Sequence, residues 1–325
     1  MTEIQKRRLG SSGIQVTEIG LGLWAMGGKQ WGPTEDQASL DTIDAALDAG
    51  VNLFDTADVY GNGHSEDLLG QAMKGRRDQF IVATKIGWNN FNEDQDHTQY
   101  DTVTKLVAGV EENLHRLQSD YIDLIQWHIN RREKTMEIAL EGFQRLQQEG
   151  KVRAYGVSTS DLEFLKAFNA DGKCSSLQID YSILNRTPEA EIFSYCQEMD
   201  MGILIRGPLA MGILTGKFTP ESRFAPGDFR TSWIENAEEN EVFLRDLEAV
   251  EELKSLTSQN RSLAQLALQF SIEHPAVTST IPGAKTVQQL GENLAVARLG
   301  RFSAEDLDVI DRLSPPGGGR KIWPA

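Results

Sequence analysis

The chain repeats one unit eight times: a short apolar run of strand character, then a stretch with helical periodicity. The runs fall at residues 18–23, 51–54, 80–84, 121–127, 152–157, 176–179, 202–205 and 277–281. Helical patterns follow over 34–48, from Ser65 through Met73, over 101–117 and 133–148, briefly after 159, and over 189–199. They return at 239–258, 262–273, 286–296 and 303–313, after an irregular stretch, 207–236, that breaks the rhythm. The runs are too apolar for a sheet with a solvated face. Eight such units with short connections predict a closed (β/α)8 barrel, with a doubly wound open sheet as the alternative. Residues 6–17, turning at Gly10-Ser-Ser-Gly13, add an N-terminal β-hairpin, and the last helical patterns add C-terminal helices beyond the repeat. No linker interrupts the chain, so 1–325 reads as a single domain.

Composition narrows the function classes. Lys plus Arg is 32 against 48 Asp plus Glu, a net charge of -16. That balance repels a phosphate backbone, so nucleic acid is not an expected partner. No apolar run approaches the length of a membrane span, and the polar start lacks a signal core, so no membrane is expected and the cytoplasm is the default location. The two cysteines, Cys174 and Cys196, form no C-x-x-C and have no histidine beside them, so no metal centre or disulfide framework is expected.

Residues at the C-terminal ends of barrel strands converge on one face. Here the ionisable ones are Asp55 and Tyr60 after the second run, Lys85 after the third and His128 after the fourth. A phenol whose ordinary pKa is about 10 donates more readily near an ammonium, which stabilises phenolate. A carboxylate anchors the buried ammonium, and an imidazole orients a carbonyl oxygen or shares the proton. The set therefore reads as a proton donor, Tyr60, aimed at a carbonyl. It contains no Ser or Cys nucleophile and no metal shell. A proton delivered to a carbonyl oxygen is useful when a hydride reaches the carbon, which points to a nicotinamide cofactor.

With these residues in view, the sequence resembles the aldo-keto reductase family. The resemblance is carried by Leu21-Gly-Leu-Trp24, by Phe54-Asp-Thr-Ala-Asp-Val-Tyr-Gly61 with Ser65-Glu66, and by Asp120-Tyr-Ile-Asp-Leu-Ile-Gln-Trp-His128. It continues through Tyr155-Gly-Val-Ser158, Gly207-Pro-Leu-Ala-Met-Gly-Ile-Leu-Thr-Gly-Lys217 and Ile281-Pro-Gly-Ala-Lys285 to Asn293. It implies a catalytic tetrad of Asp55, Tyr60, Lys85 and His128, and NADPH lying extended across the barrel mouth, with NADH as the alternative. Gly22, Leu23 and Trp24 then line the nicotinamide end, beside Asp55. Ser158 and Gln178 hold the carboxamide, with Thr159 next to Ser158 as a further cofactor residue whose contact is altered. The backbone of Gly207, Pro208, Leu209, Gly212 and Leu214 wraps the pyrophosphate with Lys217. Gly283, Lys285, Gln289 and Asn293 take the adenosine end, Lys285 facing a 2′-phosphate.

Three positions depart from the family pattern. Thr159 replaces an asparagine of many relatives, Arg206 stands where an aromatic ring stacks on the nicotinamide, and Thr286 stands where several relatives carry arginine. The charge of Arg206 is expected to alter cofactor affinity or reduction bias. Trp24, Tyr60, Trp88, His128 and Trp233 are the expected substrate walls, with Trp127 beside them. The polar 87–100 loop suits hydroxylated substrates. The expected activity is reduction of an aldehyde, ketone or sugar to the alcohol. The alternative is a weakly active, cofactor-binding regulatory subunit on the same fold, like the potassium-channel beta subunits.

Overall fold

A computed structural model of the chain describes residues 4–28, 31–32, 34–87, 100–128 and 135–321. The first two strands, β1 (Lys6–Arg8) and β2 (Gln15–Thr17), pair antiparallel as the expected hairpin. Eight parallel strands follow: β3 (Leu21–Gly22), β4 (Leu53–Asp55), β5 (Ile81–Ile86), β6 (Ile122–His128), β7 (Val152–Ser158), β8 (Ser176–Asp180), β9 (Gly202–Arg206) and β10 (Ser279–Thr280). They are joined in chain order from β3 to β10. Parallel bridges Ile19↔Thr280 and Gly22↔Gly283 join the two ends, so the sheet closes into the (β/α)8 barrel. The first and last strands are short because closure there runs through these bridges rather than a full ladder.

Strand alternation sorts the barrel interior into layers. Near the bottom, Leu53, Ala83, Leu124, Ala154 and Leu204 pack as one apolar layer. The hairpin plugs this end with Leu9, Ile14 and Val16. Gly10, at its turn, has φ +50, and a Cβ there would stand 2.4 Å from the Gly202 nitrogen, so only glycine lets the plug seat. Two residues further along the same strands, the same parity delivers Asp55, Lys85, Gln126, Gly156 and Arg206 to the upper interior. A further step on β6 and β7 adds His128 and Ser158. The chemistry-bearing layer is thus the continuation of the apolar one.

The opposite strand faces, with residues such as Phe54, Val82, Ile125, Tyr155 and Ile203, pack against the helices in the main core. The helices carry ordinary start signals. Thr102 accepts from the Lys105 N–H, and Ser262 with Gln265 forms a full capping box before Leu263–Glu273. The helix expected over 34–48 runs Asp36–Asp48 and starts after Glu35, with no side-chain capping bond. The stretch 207–236 is also more ordered than its sequence rhythm suggests, holding 3-10 turns at Ala210–Thr215 and Phe229–Thr231 and a helix at Ser232–Glu235. Among the described residues, no helix is long and apolar enough to cross a membrane.

Candidate active site

At the top of β4, β5 and β6 the expected set comes together. The Lys85 ammonium, fully buried, donates to Asp55 Oδ1 at 2.5 Å, to the Thr56 carbonyl at 2.8 Å and to the Tyr60 hydroxyl at 3.2 Å. The other oxygen of Asp55 accepts from Gln178 Nε2 at 2.7 Å, and Gln178 also donates to Gln126 Oε1 at 3.3 Å. The His128 ring meets the Tyr60 ring edge-on, 5.9 Å between centroids, and the Trp24 ring stacks on Tyr60 at 5.8 Å. Asp55, Lys85 and His128 are the last or near-last residues of their strands rather than loop residues. Tyr60 alone comes from a loop, and backbone packing fixes it. A Cβ at Gly27 would stand 2.7 Å from the Tyr60 carbonyl carbon, and one at Gly61 would stand 2.2 Å from the Gly27 oxygen.

Burial pushes the Tyr60 phenol above its ordinary pKa, and the Lys85 charge pulls it part of the way back. Burial works against the Lys85 charge, but Asp55 and Tyr60 outweigh it and the ammonium is held more firmly than usual. Burial, then Lys85 and Arg206, drive His128 well below the usual imidazole range, so its ring is neutral. The resting site therefore contains a protonated phenol, a charged lysine, its carboxylate partner and a neutral imidazole.

A second buried network backs β5. Glu66 accepts from the Thr84 hydroxyl at 2.5 Å and from Arg116 Nε at 2.7 Å. Asp58 accepts from the Tyr100 hydroxyl at 3.1 Å, while its own N–H donates to the Lys85 carbonyl at 3.3 Å. Burial first, then the Glu66 charge, pushes the Asp58 carboxyl up to about 8.

The Tyr60 hydroxyl opens into a cavity of about 550 Å³ that continues as a groove across the barrel mouth. Near Tyr60 it is lined by Gly22, Trp24, Asp55 and His128, then by Ser158, Gln178 and Arg206. The lining also includes Gly207, Pro208, Leu209 and Gly212 with Lys217, and Gly283, Lys285, Gln289 and Asn293. Gly207, Ala210, Met211 and Gly212 all have positive φ, between 48° and 97°. For Ala210 and Met211 this is a strained conformation, of the kind that concentrates at ligand sites.

Other expected residues are not in the lining. Leu23 is fully buried, its N–H bonded to the Asp55 carbonyl. Leu214 is in the core. Thr159 is buried with its hydroxyl taken by the Asp161 N–H, 3.1 Å away. Trp233 packs against Phe224, Phe229 and Phe243 rather than the cavity, and Trp127 is buried in the core beside Gly87. Trp88 lies outside the described residues. Thr286 caps Val287–Leu294 by accepting from the Gln289 N–H.

Among the lining residues without a counterpart in the sequence expectations, two stand out. Trp31 and Arg230, on distant loops, meet across the groove. The Arg230 guanidinium lies 4.8 Å from the Trp31 ring centroid and is held by Asp228 at 2.6 Å. Phe229 meets Trp31 edge-on at 5.0 Å and stacks on Trp24 at 5.8 Å. Lys285 donates to the Trp31 carbonyl. The only hint in the sequence is the Asp228-x-Arg230 pair. Burial and then the Arg230 charge hold both Lys217 and Lys285 below the ordinary lysine range. Lys217, Arg230 and Lys285 thus crowd together in a strongly acidic chain, the arrangement an anionic ligand relieves.

The Aldo/keto reductase family model matches residues 18–315. The chain belongs to the aldo/keto reductase family. Like other aldo-keto reductases, it is an NAD(P)H-dependent oxidoreductase. It is 36% identical over 288 residues to aldo-keto reductase YhdN of Bacillus subtilis, covering 87% of this chain and 85% of that protein. Among solved structures it is similar to the holo form of aldo-keto reductase AKR11C1 from Bacillus halodurans, with TM-score 0.77, 30% identity and 96% of each chain covered. An aldo-keto reductase from Klebsiella pneumoniae in complex with NADPH superposes with TM-score 0.73 at 26% identity, again covering 96% of each chain.

The groove suits a nicotinamide dinucleotide. Its strained turn at 207–212 lets backbone approach closely, its cations match phosphates, and Gln289 and Asn293 add amides to the lining.

Proposed function

We propose that this aldo-keto reductase reduces aldehydes or ketones, sugars included, to alcohols with NADPH, and that Tyr60 is the general acid. The observation that carries this reading is the buried Tyr60 hydroxyl, 3.2 Å from the Lys85 ammonium at the edge of the cavity. NADPH bound in the groove supplies the hydride for the carbonyl carbon. Tyr60 gives its proton to the carbonyl oxygen, and the resulting phenolate is stabilised by Lys85. Asp55 holds Lys85 in place and balances its charge. Neutral His128 hydrogen-bonds the carbonyl oxygen and orients it toward Tyr60. Trp24 and Trp31 wall the substrate end.

In the same reading Ser158 and Gln178 hold the carboxamide, while the backbone from Gly207 to Gly212 and the Lys217 side chain take the pyrophosphate. Lys285 reads the 2′-phosphate, with NADH accepted less well, and Gln289 and Asn293 hold the adenine. Residues 1–325 act as one domain in the cytoplasm.

The test is NADPH oxidation across a panel of aldehydes, ketones and sugars, in the wild type and in Tyr60→Phe. The variant is expected to lose roughly 10²–10⁴-fold in kcat while still binding NADPH. Full turnover by Tyr60→Phe would show that another group supplies the proton. Cofactor binding by the wild type without turnover on any carbonyl would favour the regulatory-subunit alternative.

A further inference from the structure

Building on the function proposed above, we propose that Arg206 makes this protein discriminate between the redox forms of its cofactor, holding the reduced, neutral nicotinamide more tightly than the oxidised, cationic one. NADPH and NADP⁺ share their adenosine, phosphates and riboses. They differ only at the ring, by a hydride and therefore by one positive charge. The ratio of their affinities thus reports the surroundings of the ring and nothing else along the groove.

A ring that passes hydride to a carbonyl held on the Tyr60 hydroxyl must lie in the chamber into which Tyr60 opens. Among the charged groups lining that chamber, one cation has no partner within it. Asp55 and Lys85 offset each other as a 2.5 Å pair. Tyr60 is protonated and His128 is neutral. What remains is Arg206, the last residue of β9, which lines the same chamber. Its guanidinium forms no hydrogen bond or salt bridge with any described residue, and its Nη2 is buried without a partner. Burial holds the Arg206 guanidinium below its ordinary range, and Asp180, its register partner on β8, is the carboxylate whose field offsets part of that. Asp180 does not line the chamber, however. It is fully buried, its Oδ2 accepts from Asn185 Nδ2 at 2.9 Å, and its Oδ1 is packed against Gly207, 2.7 Å from where a Cβ would stand.

A cation held in a partly desolvated chamber repels a second cation and leaves a neutral ring largely unaffected. In the forward direction the same repulsion helps expel the oxidised product. Arg206 is in this sense a specificity-determining residue for the cofactor's oxidation state, separate from the proton chemistry of Tyr60.

The experiment is a fluorescence titration with NADPH and with NADP⁺ of the wild type, Arg206→Gln, Arg206→Tyr and Arg206→Lys. Removing an unpaired buried charge does not threaten the fold, so the neutral variants remain usable. The wild type is expected to favour NADPH by about tenfold or more, and the neutral variants to lose roughly a factor of ten of that preference through tighter NADP⁺ binding. Arg206→Lys, which keeps the charge, should keep the preference. An unchanged ratio in the neutral variants, a loss that comes only from weaker NADPH binding, or an equal loss in Arg206→Lys overturns the charge argument while leaving the proposed reductase activity standing. If the wild type binds neither form, the proposed function fails instead.

Discussion

The Lys85 ammonium is 3.2 Å from the Tyr60 hydroxyl and is itself buried beyond the reach of solvent. This fixes the protonation state of the pair. Burial raises the phenol's pKa more than the ammonium lowers it, so the phenol keeps its proton at neutral pH.

The first prediction concerns pH. Carbonyl reduction needs the protonated phenol and should stay level from neutral pH to about pH 9. Alcohol oxidation needs the phenolate, whose fraction grows with pH up to the phenol's own pKa. That pKa lies above its ordinary value, so the oxidation rate should still be climbing at about pH 10. Initial rates in both directions across pH check this, and an oxidation plateau near neutrality would contradict it.

Removing Lys85 should cost stability as well as activity. Lys85→Met leaves the Asp55 carboxylate buried without its cation, a loss on the order of 3–5 kcal/mol. Adding Asp55→Asn should recover part of that loss, because the stranded charge is then gone. Denaturant midpoints of the two single variants and the double variant measure the coupling.

Asp58 predicts a pH-dependent stability of unusual sign for a carboxylate. Its folded-state pKa, raised to about 8, lies above the unfolded value of 3.8. Between these two values the folded protein keeps a proton that the unfolded chain has released, so stability falls as pH rises through this window and levels off above it. Asp58→Asn should remove that contribution and be the more stable protein at pH 9, by about 1 kcal/mol or more. Thermal or urea unfolding at pH 5 and at pH 9 reads the difference.

Lys285 should set the preference for a 2′-phosphate. Lys285→Ala is expected to weaken NADPH binding by roughly tenfold or more, the scale of one charge-assisted hydrogen bond, with a smaller effect on NADH. Equal losses for both cofactors would place the 2′-phosphate elsewhere.

The sequence shows the tetrad for a simple physical reason. Strand alternation is strict, so Asp55, Lys85 and His128 can be placed on the inner face from their strands alone, and their chemistry then selects Tyr60. The same logic finds the hairpin and the eight units. It fails where position depends on distant loops. Trp31 and Arg230 sit in segments without periodicity, and nothing local indicates that they meet across the groove. Thr159 shows how a local turn can also draw on a candidate site residue. It occupies a plausible site position, but its hydroxyl serves a local turn at Asp161. Trp233 was expected at the substrate wall as an aromatic near a strand end, yet its neighbours Phe224 and Phe243 draw it into packing.

The layered barrel has one more consequence. Asp55 and Lys85 sit on strands whose next inward residues, Leu53 and Ala83, belong to the apolar layer, so exchanging them disturbs the interior. The cations at Lys217, Arg230 and Lys285 stand on connecting segments outside the barrel strands. In the proposed reading, recognition of the cofactor's phosphates and the proton chemistry are therefore carried by separate parts of the chain. Descendants of this protein, or a designer, can trade one cofactor for another by rewriting loops while inheriting the reaction unchanged.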